Sequence, residues 1–212
     1  MTENKLIKTA LFLSWFTIIY NLLEGLISIH FGLKNDAFAL AGFGGDSLIE
    51  VLSATLVLWR FKGESDACCN PTDKRERIAT FGIGALFILL SSIVMIASCY
   101  QIMDNSHPKT TLPGIIISAI SLSFMVYLWR AKKKLAVALN SSAISCDAKC
   151  SLACIKLSGV LLAGSLVFAV FPKLFWADAI AAAFIGVTIG REGIEIIQTT
   201  LRKTFSTGLR AL

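Results

Sequence analysis

The reading of the fold turns on Gly44-Gly45-Asp46-Ser47-Leu48-Ile49-Glu50-Val51-Leu52-Ser53-Ala54. This stretch puts two carboxylates inside an apolar segment that runs from 37 to 59. Asp46 and Glu50 stand at i and i+4, one turn apart on one helix face, and Ser53 extends the stripe. Ionisable groups at bilayer depth cost at least ~2.5–3.5 kcal/mol each and mark functional sites by default. Like charges so placed repel. A divalent cation bound to both removes the conflict, and ion pairing with lysines of a neighbouring span is the alternative.

Outward from this segment the chain reads as membrane throughout. Of its 212 residues 55% are apolar and 16% charged, and the mean hydropathy is +0.71. Soluble domains lie near ~45–50% and ~25%. Apolar segments run at about 9–33, 37–59, 78–101, 112–129, 143–171 and 174–194. They predict an all-α membrane protein of six transmembrane helices, since a span needs about 20 apolar residues. The first run continues from Ala10 to Leu33, too long for the apolar part of a signal peptide. The expected organisation is a cytoplasmic N-terminus at 1–8, a transmembrane domain at 9–195 with a cytoplasmic loop at 60–77, and a short cytoplasmic tail at 196–212.

Basic residues set the expected orientation. Arg60, Lys62, Lys74, Arg75 and Arg77 follow span two, and Arg130, Lys132, Lys133 and Lys134 follow span four. Arg191, Arg202, Lys203 and Arg210 end the chain, whereas the loops after spans one, three and five hold Lys34, Lys109 and Lys173. The positive-inside rule then predicts both termini in the cytoplasm. The net charge of +6 is accounted for by these flanks, so no nucleic-acid partner is expected.

Span five reads Cys146-Asp147-Ala148-Lys149-Cys150-Ser151-Leu152-Ala153-Cys154. Asp147, Cys150 and Cys154 follow a 3–4 spacing and share a face. Thiolate and carboxylate are ligands that Zn²⁺ accepts in fours, and thiolates disfavour Mg²⁺ and Ca²⁺. The metal-ligand candidates are therefore Asp46, Glu50, Cys150 and Cys154. A buried cysteine is otherwise a small apolar residue, the reading preferred for Cys99 and open for Cys146. Lys149 and Lys156 form a second stripe, available to neutralise carboxylates or to snorkel.

Span one carries Asn21 and Glu24, which with Asp147 and Cys146 are candidates for a further metal or proton pathway. Asp178, beside Trp176, is read as a cap or anchor of span six. Cys68 and Cys69, near Asp66 and Asp73 in the 60–77 loop, are candidates for cytoplasmic metal capture, against the simpler reading of reduced loop thiols.

The pattern resembles the cation diffusion facilitator superfamily, in which a D-x-x-x-D motif on span two meets an H-x-x-x-D motif on span five. Asp46-Ser47-Leu48-Ile49-Glu50 matches the first. Cys150 and Cys154 stand at the His and Asp positions of the second. The strings GFGGDSLIEVLSA and WADAIAAAFIGVTIGREGIE look like a short branch with little beyond the membrane part. The resemblance covers roughly 10–195. It implies a homodimer that transports Zn²⁺ or a similar ion as substrate, with no enzymatic activity and no resident cofactor. The replacement of His and Asp by two cysteines bears on which metal is preferred.

Metal binding to carboxylates and thiolates displaces protons, so metal/proton antiport out of the cytoplasm is the expected coupling. A bacterial inner membrane is the expected setting. Three rival readings stay open: a membrane metal sensor or scaffold without transport, a transporter of organic cations, and a membrane thiol-redox enzyme. Against the last, no C-x-x-C occurs among the six cysteines.

Overall fold

The structure, a computed structural model, describes residues 3–34, 38–62, 72–103, 112–170 and 177–201. They form α1 (Glu3–Lys34), α2 (Phe38–Lys62), α3 (Thr72–Met103), α4 (Leu112–Leu139), α5 (Ser142–Val170) and α6 (Ala177–Leu201). Among the described residues there is no strand. Helices of 25–32 residues extend roughly 37–48 Å at 1.5 Å per residue, more than the ~30 Å apolar core of a bilayer. Stretches within Lys5–Phe31 and Lys74–Met103 have both the length and the apolarity of a membrane span.

The distribution of side chains is inverted relative to a soluble protein. On α1, Ser14, Thr17, Asn21, Glu24 and Ser28 are buried, while Phe12, Trp15, Phe16, Ile19, Leu23 and Leu26 are exposed. The buried set recurs every three or four residues, so one polar stripe faces the protein and the apolar remainder faces outward. In water this outward face would cost the burial energy it forgoes; in lipid it is the favoured surface. The chain is a membrane protein whose described residues form six helices and no strand, as its sequence predicts.

Helices α1, α2, α5 and α4 pack in a closed ring, α1 on α2, α2 on α5, α5 on α4 and α4 on α1. The α3–α6 pair packs beside it, on α2 and α5. Close approach of α1 and α2 depends on Gly44, where an added Cβ would stand 2.7 Å from the Gly25 carbonyl oxygen and 2.7 Å from Ile29 Cγ1. Small residues at such crossings are what brings membrane helices together. The crossing lies less than one turn before Asp46, so it fixes the depth of the acidic stripe against α1.

At one end of the bundle the chain turns sharply from α4 to α5. Asn140 takes a left-handed conformation (φ 47°), a tolerated helix C-terminal position for Asn. The Ser141 Oγ then accepts from the Ile144 N–H at 3.3 Å, capping the start of α5. The same Ser141 hydroxyl donates to Glu76 Oε1 at 2.7 Å, and the Ala143 N–H donates to that oxygen at 2.8 Å. Glu76 Oε2 is paired with Arg60 Nε, and the Arg60 guanidinium lies over the Phe61 ring at 4.1 Å. Glu76, at the start of α3, thus ties the end of α2 to the start of α5. Nearby, Arg77 Nε donates to the Thr200 carbonyl at 2.7 Å, satisfying the C-terminal end of α6.

The helices overrun several predicted limits. Span four, expected to end near 129, continues as α4 to Leu139, so Arg130, Lys132, Lys133 and Lys134 belong to a helix and not to a loop. Cys99, expected in the core, is exposed. It follows the buried Ser98, and one residue's rotation of about 100° carries its thiol off the inward stripe. Cys68 and Cys69 lie outside the described residues, as does the Asp178 side chain.

Candidate metal centre

Helices α2 and α5 place the candidate ligands against each other near mid-helix. Asp46, Glu50 and Ser53 on α2 are all buried, as are Cys146, Asp147, Cys150, Ser151 and Cys154 on α5. Each set follows the i, i+3/i+4 rule, so two inward stripes meet along the α2–α5 contact.

At one level of this contact a thiol meets a carboxylate: Cys154 Sγ donates to Asp46 Oδ1 at 3.2 Å. Cys150 stands one turn before Cys154 on the same buried face. The Ser158 hydroxyl continues the stripe, donating to the Cys154 carbonyl at 2.8 Å.

One turn along α2 the chemistry changes. Lys132, from α4, reaches into the ring with 2% of its side chain exposed. Its Nζ lies 2.9 Å from Glu50 Oε1, 3.0 Å from Asp147 Oδ2 and 2.9 Å from Ser151 Oγ. Three acceptors thus meet the three N–H bonds of one ammonium. Ser151 Oγ also donates to Glu50 Oε1, and Ser53 Oγ donates to Asp147 Oδ1 at 2.7 Å. Asp147 therefore has both oxygens engaged. Glu50 does not: its Oε2 is fully buried with no hydrogen-bond partner. A buried, unpartnered carboxylate oxygen is costly and is the kind of group that a cation satisfies. Among the described residues no three His, Cys, Asp or Glu side chains close on a common metal position. In this arrangement Glu50 and Asp147 are held on Lys132, while Asp46 and Cys154 hold each other.

A second acidic group borders the site from α1. Ser47 Oγ donates to Glu24 Oε2 at 3.3 Å, and Tyr20 OH donates to Glu24 Oε1 at 3.4 Å. Ser47 is the neighbour of Asp46 in sequence, so Glu24 sits beside the acidic stripe of α2. Asn21 Nδ2 donates to the Thr17 carbonyl at 3.0 Å, while Asn21 Oδ1 is buried without a partner. Asn21 and Glu24 share the polar stripe of α1 with Ser28, whose buried Oγ is also unpartnered.

The alternative, that lysines of span five neutralise Asp46 and Glu50, is not the pairing found among the described residues. Lys156, near the middle of α5, lies 4.0 Å from Glu192 of α6 with both side chains substantially exposed, and Lys149 is only half-buried. The lysine that pairs with Glu50 comes instead from α4, out of the run of cations expected from the sequence to set orientation. The signal is present in the sequence. Ser121, Met125, Leu128, Lys132 and Leu135 are spaced 4, 3, 4 and 3, and all are buried, so Lys132 belongs to the inward stripe of α4.

Comparison with known proteins fits this geometry. A family model for the cation efflux transmembrane domain matches residues 15–203. This chain belongs to the cation efflux family. The matched range takes in α1 from residue 15 and the whole of α2 to α6, including both stripes of the α2–α5 contact, and agrees with the resemblance that the span-two motif suggests. The cation efflux chain is also 26% identical over 192 residues to Transmembrane protein 163 of Xenopus laevis. That alignment covers 90% of this chain and 66% of the relative.

Proposed function

We propose that the protein is a secondary transporter of divalent metal cations, with Zn²⁺ as the first substrate to test, working by exchange with protons. The observation that carries this reading is the meeting of Asp46 with Cys154 one turn from the unpartnered Glu50 Oε2. Two carboxylates and a thiol at mid-helix form a donor set suited to a borderline ion. The second thiol, Cys150, completes the proposed four. Binding deprotonates such ligands, and the emptied site takes protons back. That exchange makes a proton gradient a natural driving force. The site lies between helices of a ring, where small relative movements would open it to one side or the other, as in secondary transporters generally.

The proposed orientation puts both termini in the cytoplasm, because Arg60, Lys62, Lys74, Arg75, Arg130 and Lys133 lie at or near the same helix ends. Trp59 and Trp129 accompany them, with Arg75 and Lys133 stacked over their rings at 5.6 and 5.4 Å. Export from the cytoplasm follows as the proposed direction, in a homodimer and, in the first instance, in a bacterial inner membrane. Glu24 and Asn21 are assigned to a polar path on the α1 side of the site, with Asp147 and Cys146 on the α5 side.

A second reading, metal sensing without flux, has one observation in its favour: Lys132 already occupies Glu50. Reconstitution separates the two. Full-length protein is placed in liposomes containing a Zn²⁺-sensitive dye, and a pH gradient is imposed. The transporter reading expects Zn²⁺ flux that Asp46→Ala abolishes and Cys150→Ala strongly reduces. Zn²⁺ binding with no flux under any gradient would replace it by the sensor reading.

A further inference from the structure

We propose that Lys132 is a tethered counter-ion that competes with the metal for Glu50, so that it sets both the affinity of the site and its preference for a divalent ion. This rests on the transport reading above and assigns the site a determinant that does not itself bind metal.

The geometry supports competition at Glu50 and not at Asp147. The ammonium bridges Glu50 Oε1 at 2.9 Å and Asp147 Oδ2 at 3.0 Å, but the two acids are not equivalent. Asp147 is fixed on its other oxygen by Ser53 at 2.7 Å. Glu50 has its other oxygen unpartnered and buried. A cation arriving at Asp46 and Cys154 therefore finds one turn away a carboxylate with a free face, and can take it without dismantling the Lys132–Asp147 pair. Lys132 keeps Asp147 and Ser151 when Glu50 turns to the metal.

Charge balance gives the same assignment. In their charged forms Asp46, Glu50 and Asp147 carry three negative charges and Lys132 one positive. With both thiols still protonated the cluster has two negative charges to offset, which one divalent ion neutralises and one monovalent ion does not; each thiol that loses its proton to bind the metal adds one negative charge beside Lys132. Without the metal, Lys132 relieves the repulsion between Glu50 and Asp147 at a depth where unpaired charges are heavily penalised. A small cavity of about 10 Å³, lined by Ala10, Ser14, Val57, Lys132, Ile144 and Asp147, adjoins the ammonium. It is about large enough for one water, which would accept from the ammonium in place of Glu50 once that carboxylate turns away.

The test measures Zn²⁺ and Cd²⁺ affinity by calorimetric titration of the full chain in lipid nanodiscs, with melting temperatures taken with and without metal. Lys132→Met is expected to bind Zn²⁺ at least tenfold more tightly than the wild type. It should also melt lower without metal and gain more from added metal. Lys132→Arg, which keeps the charge, should stay within about threefold of the wild type. The double variant Lys132→Met/Asp147→Asn removes the ion pair and should fold even where the single variant does not; it too should bind more tightly than the wild type. Unchanged or weaker Zn²⁺ binding in both Lys132→Met forms, with the same loss of melting temperature with and without metal, would make Lys132 a structural residue and overturn the inference alone. Failure of the wild type and every variant to bind Zn²⁺ or Cd²⁺ would overturn the transport reading and this inference with it.

Discussion

Two buried ionic clusters, some ten residues apart along α2, are built to different rules. At the helix ends, Glu76 accepts from Arg60, from the Ser141 hydroxyl and from the Ala143 amide. Its three donors come from α2, the α4–α5 turn and α5, and neither carboxylate oxygen is left over. Further from those helix ends, Lys132 joins Glu50 and Asp147, but Glu50 Oε2 has no partner, and a thiol and a third carboxylate stand one turn away. A buried polar network with every member satisfied fixes a structure. One left unsatisfied at a single atom stays in a native fold when something else completes it. The first cluster is therefore a joint of the fold, and the second is where the proposed reading puts an exchangeable cation.

The contrast can be broken by substitution, and the largest effect is expected at the joint. Glu76→Ala leaves Arg60 buried without its carboxylate and removes an acceptor from the start of α5. It should destabilise the protein by about 3–5 kcal/mol, seen as a large drop in melting temperature that is the same with and without Zn²⁺. A drop confined to the metal-free form would assign Glu76 to the binding site instead.

Glu50→Gln should do the reverse. Lys132 retains Asp147 and Ser151, so melting without metal should change less than in Glu76→Ala. Zn²⁺ affinity, by titration, should fall by at least about 100-fold, because losing a direct ligand costs no less than losing an outer-shell partner of one. Affinity within a factor of two of the wild type would remove Glu50 from the ligand set. Next in size is Cys154→Ser. A hydroxyl is a poorer ligand than a thiolate for soft ions, so Cd²⁺ affinity should fall by at least about tenfold, and further than Zn²⁺ affinity. Equal losses for both ions would mean that Cys154 supports Asp46 without touching the metal. Smallest of all is Lys156→Ala, off the α2–α5 ligand stripes: its pair with Glu192 is long, at 4.0 Å, and Zn²⁺ affinity, by titration, should stay near the wild type.

Much of this is legible in the sequence, for a physical reason. Helical period and bilayer cost both act locally, so the spacing of Asp46, Glu50 and Ser53, and of Asp147, Cys150 and Cys154, is enough to put each set on one buried face. Lys132 escapes such a reading because a run of cations after a span, Arg130 to Lys134, is also what orientation requires. Composition cannot separate the anchoring members from the one that turns inward. Only the buried stripe from Ser121 to Leu135 distinguishes it, and that stripe requires α4 to continue beyond residue 129. Glu76 gives no local sign, because its partners at Ser141 and Ala143 lie 65 and 67 residues away. Its role depends on how α3 meets the α4–α5 turn, which is a fact of packing.

Whether Asp46, Glu50 and the α5 thiols hold the transported ion is read by X-ray absorption at the zinc edge of the Zn²⁺-loaded protein. A mixed first shell is expected, with sulfur at ~2.3 Å and oxygen at ~2.0 Å, that loses sulfur in a Cys150→Ala/Cys154→Ala variant. A first shell of nitrogen and oxygen alone in the wild type, unchanged by that double substitution, would contradict the assignment of these residues to the ion.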